Sequence, residues 1–227
     1  MNTIKSYTPS FQARCPQILE AQRVCHIINS GYAHASDTRI RPALYNLMAK
    51  DNVSDAFKNK YLIWLRRFID QMQEIRDTFQ GSLKGMMPSK PRPMKVFQQL
   101  KLYHRGNCFE NAVAAEAILK LNGVPNACCA TLNKGNTSLD HIVCIFNRDG
   151  SIFDGKIKNN QTIIVDPWLG KADFANKMFK YYENNCKTLL NFKNDEKFKI
   201  GSVREADIRE FDKTLMKQYF QDLFYKK

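Results

Sequence analysis

Apolar residues recur at helical spacing in three stretches of the first hundred positions of this 227-residue chain. Ile18, Leu19, Ala21, Val24, Cys25 and Ile28 share one side of an amphipathic pattern, which predicts a helix over residues 16–28. The longest stripe is Phe57, Tyr61, Trp64, Leu65, Phe68, Met72, Ile75 and Phe79. Residues 54–79 therefore read as one core or docking helix. Pro42 suits the first turn of a short helix over 42–48. Gly81, Gly85, Pro88, Pro91 and Pro93 then interrupt the pattern, so residues 80–95 form a linker or an overhanging loop.

Beyond residue 100 the period changes. Phe109, Ala112, Val113, Ala117, Ile118 and Leu121 keep helical spacing until Gly123 and Pro125 end it. Glu116 and Lys120 read as an i,i+4 pair on the outer face of that helix. Three compact β-type runs follow, over 127–132, 142–146 and 162–165. Residues 171–182 read as helix, and Ser202 with Glu205 makes a capping-box pattern for a last helix striped by Ile208, Phe211, Leu215, Tyr219 and Leu223. This order predicts an α+β protein, with a central helix packed on a small antiparallel sheet and N- and C-terminal helical extensions. A helical N-terminal region over 1–95 and a core with C-terminal helices over 96–227 are expected, as two units or one continuous domain.

Composition narrows the class. With 44% apolar and 11% aromatic residues there is ample material for a core. Residues 1–15 lack the apolar stretch of a secretory signal, and no apolar run approaches the roughly 20 residues of a membrane span. The expectation is a soluble protein, cytoplasmic or exported without a cleaved signal, a host cytosol included. Seven cysteines without paired zinc-type spacing point to reduced, mostly structural thiols and to no metal site. Phosphate-loop and dinucleotide patterns are absent, so no cofactor is expected.

The net charge of +13 is uneven. Residues 1–100 carry +8 and residues 171–227 carry +4, while residues 101–170 carry only +1. Basic flanks around a nearly neutral middle suit an acidic protein partner or an anionic membrane surface. The lysines are dispersed and the aromatics follow core periodicity, which argues against a nucleic-acid interface.

The neutral segment holds the candidate chemistry. Asn107 is a good N-cap, Gly106 lets the backbone turn sharply, and Glu110 is an acid in the first helical turn. Cys108 then stands at the positive end of the helix dipole, which favours a thiolate nucleophile. His141 opens one β run and Asp166 closes another. Antiparallel pairing of those runs would bring both to one place, so Asp166 can hold the imidazole that faces Cys108. His104 is an alternative base, Asp154 a fallback acid, and Asp140 faces away from His141. Trp168 either covers the His–Asp pair or fills core. An oxyanion hole would use the Cys108 N–H, with Asn107, Gln98, Gln99 or Tyr103 as the side-chain donor.

The order of GNCFENA, DHIVCIF and VDPWLG resembles the papain-like and transglutaminase-like cysteine enzymes with a Cys-His-Asp triad. Within that group it is most similar to bacterial protein glutaminases, deamidating toxins and secreted effector proteases. The resemblance runs from about residue 100 to 170 and assigns Cys108, His141 and Asp166 to the triad. It implies a thiol-dependent acyl-transfer enzyme acting on protein amides, by glutamine deamidation or peptide-bond hydrolysis. RGNCFEN is also similar to the arylamine N-acetyltransferases, although this chain has one residue fewer before the cysteine and DPW in place of a DVGFG-like acid motif. A non-enzymatic basic helical binding module is the other alternative.

Overall fold

A computed structural model of the chain describes residues 15–31, 53–80, 106–158, 160–186, 190 and 196–205. The expected helices over 42–48 and from 206 onward, together with His34, Gln98, Gln99, Tyr103 and His104, lie outside these residues. The fold is α+β. Among the described residues three helices come first, α1 (Pro16–Gly31), α2 (Asp55–Gln80) and α3 (Cys108–Leu121). Strands β1 (Cys128–Lys134), β2 (Thr137–Asn147), β3 (Thr162–Asp166) and β4 (Lys171–Phe174) follow, then α4 (Ala175–Asn185) and β5 (Phe198–Arg204). The strands form one antiparallel sheet in the order β4-β3-β2-β1-β5. Among the described residues no helix is long and apolar enough to cross a membrane.

The sheet divides the core in two. On one face Cys144, Phe146, Ile163 and Val165 pack with α1 and α3. On the other, Val143, Ile145 and Ile164 pack with Trp168 and with Met178 and Tyr182 of α4. Strand alternation sends neighbouring residues of β2 and β3 to opposite sides. Helix α3 is apolar almost all round because it is covered on both sides, by α1 and by the sheet; every residue from Glu110 to Leu119 is buried. Ala112, Ala114, Ala115 and Ala117 are the small residues that permit this close approach. Of the α2 stripe, Phe68 is fully buried in the α1–α3 core, while Phe57 and Trp64 remain exposed.

Three local readings differ from the structure. Glu116 and Lys120 do pair, at 2.8 Å, but Glu116 is 0% exposed, so the pair is interior and not on an outer face. Residues 171–174 are the short edge strand β4, and helix α4 begins only at Ala175. Ser202 is no helix cap. It lies in β5, where the register slips against β1 between Ala130 and Leu132. Gly201 meets the Thr131 side chain there so closely that a Cβ would clash with it.

Candidate active site

The capping motif of α3 is local and forms as its residues dictate. Asn107 takes an extended backbone, and Asn107 with Glu110 makes a capping box in which the Asn107 N–H donates to Glu110 Oε2 at 3.0 Å. Cys108 is thereby the first helical residue, and its N–H precedes the first intrahelical bond, Asn111 N–H to Asn107 carbonyl at 3.1 Å. Although α3 packs on the first face of the sheet, the Cys108 side chain is half-buried against the core of the second face. Its sulfur lies 4.0 Å from the Asp140 carbonyl oxygen.

His141 reaches the same place through a departure from regular pairing. Thr131 pairs with Ile142 and Asn133 with Ser138, so one residue of β1 faces three of β2, Leu139 to His141. Such a bulge bends the strand and re-aims its side chains. The imidazole is 1% exposed. Its Nε2 meets Asp166 Oδ2 at 2.7 Å, and the Cys108 side chain lies near enough to favour the protonated ring. With Nε2 taken by Asp166, Nδ1 is the nitrogen that remains for the sulfur.

Asp166 ends β3, and the turn after it holds its carboxylate in place. Pro167 accepts from the Gly170 N–H at 3.0 Å, with Gly170 in the left-handed conformation at φ +71°. The Leu169 N–H donates to Asp166 Oδ1 at 3.1 Å, which leaves Oδ2 for His141 and for the hydroxyl of Tyr182 at 3.0 Å. Trp168, in the same turn, is 4% exposed with its ring centroid 5.0 Å from that of His141. It therefore belongs to the core and covers the imidazole at once.

The electrostatics follow from this enclosure. Burial by itself pulls an imidazolium down. The Asp166 charge, its hydrogen bond and the Cys108 side chain outweigh burial and raise His141 to about 10. The ring is cationic at neutral pH. Burial pushes the thiols of Cys25, Cys129 and Cys144 well up, and that of Cys128 up to about 12.

No known family model, curated protein or solved structure matches this chain. The site is therefore read from its own geometry. Cys108, His141 and Asp166 come together. Asp140 is exposed and contributes its carbonyl, not its carboxylate. Asp154 is exposed and accepts the Lys156 N–H in a turn. Asn107 is buried next to Cys108 in sequence, with its backbone N–H donating to Glu110. Tyr182 carries little signal in the sequence beyond being an aromatic residue in a helical stretch near Asp166. A thiol, a cationic imidazole and an anchored carboxylate in this order can perform nucleophilic acyl transfer.

Proposed function

We propose that the chain is a thiol-dependent acyl-transfer enzyme acting on protein amides, with Cys108 as nucleophile, His141 as acid and base, and Asp166 as the group that orients His141. The observation that carries this reading is a buried imidazole, held cationic, with a carboxylate 2.7 Å from Nε2 and a half-exposed helix-N1 thiol near the ring.

In the first half-reaction the Cys108 thiolate adds to the amide carbonyl carbon. The imidazolium of His141 gives its proton to the amide nitrogen, the C–N bond breaks, and ammonia or an amine leaves a thioester. In the second, neutral His141 takes a proton from water, the oxygen adds to the thioester, and the C–S bond breaks. An acid leaves, and the thiolate–imidazolium pair is restored. The Cys108 N–H at the helix start is the donor best aimed at the developing oxyanion. Asp166 keeps the imidazole in one orientation throughout.

Glutamine deamidation and peptide cleavage share every one of these steps, and the resemblance to bacterial glutaminases and effector proteases supports protein substrates. The seven free cysteines suit a reducing compartment, a bacterial cytoplasm or a host cytosol after export. The basic flanks suit a substrate with an acidic surface. The test is intact-mass and peptide mapping of candidate proteins incubated with the chain and with Cys108→Ala. Amide-to-acid conversion at glutamine assigns deamidation, and fragments assign proteolysis. Acetyl transfer to an arylamine assigns the acyltransferase alternative. Full turnover by a folded Cys108→Ala variant ends the enzyme reading in favour of a basic binding module.

A further inference from the structure

Two donors converge on one oxygen behind the imidazole. Asp166 Oδ2 meets His141 Nε2 at 2.7 Å and accepts from the Tyr182 hydroxyl at 3.0 Å. Tyr182 comes from α4 on the second face of the sheet and is 0% exposed. Its ring stands edge-on to His141 at a centroid distance of 6.2 Å. A phenylalanine would fill the same space, so the hydroxyl is the informative part. It is a buried polar group with a carboxylate as partner.

We propose that Tyr182 is a positioning residue that sets the charge balance of the triad: by donating to Asp166 Oδ2 it draws negative charge away from His141, so that the imidazolium facing Cys108 releases its proton readily. This rests on the cysteine-enzyme reading. The physical reason is competition. Donors that share a carboxylate oxygen share its electron density, and a less basic Asp166 holds the His141 proton less tightly. An imidazolium tied to an unshared carboxylate would be a weak acid toward the leaving amine and a slow one to recycle.

Burial first, and then the Asp166 charge, push the Tyr182 phenol well above its ordinary value, so it stays a donor across the working pH range. The other titratable groups facing the pair are Cys108 from α3, Cys25 from α1 near Asp166, and Cys186 just past α4 near Tyr182. Cys25 is pushed up by burial and stays neutral. Among the described residues the remaining donor to the Asp166 carboxylate is the Leu169 N–H, which takes Oδ1.

The test compares Tyr182→Phe with a chain carrying 3-fluorotyrosine at position 182, a stronger donor of nearly the same shape. The His141 titration is followed by ring-nitrogen NMR, which needs no substrate. Tyr182→Phe should raise the midpoint by about half a unit or more, and fluorination should lower it. With an amide or ester that the protein turns over, Tyr182→Phe should lower kcat about 10-fold, within the 10²–10⁴ that acid–base catalysis supplies, and leave KM within about threefold. A midpoint that neither change moves, in folded protein, overturns the proposal and leaves Tyr182 as packing alone. Opposite midpoint shifts in a chain that turns over no substrate support the charge balance and overturn the enzyme reading, so the two failures are distinct.

Discussion

His141–Asp166 and Lys120–Glu116 are both interior charge pairs, 2.7 Å and 2.8 Å apart, at opposite ends of helix α3. Cys108 and Lys120 are about 18 Å apart along the helix at 1.5 Å per residue. Both pairs also have thiols nearby. Around Glu116 these are Cys128, Cys129 and Cys144, all raised by burial and by the Glu116 charge. Glu116 spends its second oxygen on the Cys129 N–H at 3.1 Å, so this pair fastens α3 to β1. At the other end the thiol is half-exposed, stands at a helix N-terminus, and lies near a cation rather than beside an anion. A buried ion pair is therefore not itself a site. What separates the two ends is the sign of the charge facing the sulfur and its access to solvent.

That contrast can be broken at either end. The largest effect is expected from Asp166→Asn, which keeps the shape but leaves His141 without its carboxylate. Turnover of the substrate found by peptide mapping should fall about 10⁴-fold, or about 5.4 kcal/mol of transition-state stabilisation. A loss under tenfold would remove Asp166 from the triad.

At the other end, Glu116→Gln should cost about 1–3 kcal/mol of stability by urea denaturation, because it strips the partly buried Lys120 ammonium of its nearest carboxylate. Iodoacetamide labelling of Cys108 in the native state should not change. A cost below about 1 kcal/mol would mean that Lys120–Glu116 behaves as a surface pair.

The smallest step is in pH. His141 is raised from 6.5 to about 10 in the fold. Its contribution to stability is fully present below about pH 6.5 and is lost as pH rises through about 10. Each pH unit in that window removes at most about 1.4 kcal/mol. Subtracting the Asp166→Asn profile removes the titration of the buried thiols, which also rises in that range. Parallel profiles for the two proteins from pH 7 to about 9 would refute a cationic His141 in the folded state.

Much of the site was legible because its parts are locally encoded. An N-cap with an acid three residues later starts α3 at Cys108 whatever packs around it, and the β runs around His141 and Asp166 announce themselves by composition. Antiparallel pairing of β2 with β3 then brings the ends that carry His141 and Asp166 near one another, and the bulge before Ile142 completes the approach.

The remainder depended on distant residues. Glu116 and Lys120 have the spacing of a surface pair, and only the packing of α1 and the sheet on opposite sides of α3 makes them interior. Ser202 and Glu205 have the spacing of a helix cap, yet pairing with β1, some seventy residues earlier, makes Ser202 part of a strand. The bulge at Leu139–His141 is a mismatch between two strands and is a property of neither alone. Tyr182 reaches Asp166 because α4 folds onto the second face of the sheet. Periodicity along a chain reports which side of an element is apolar. Which polar groups are then enclosed, and by what, is decided when separate elements compete for the same buried space, and that competition exists only in the tertiary structure.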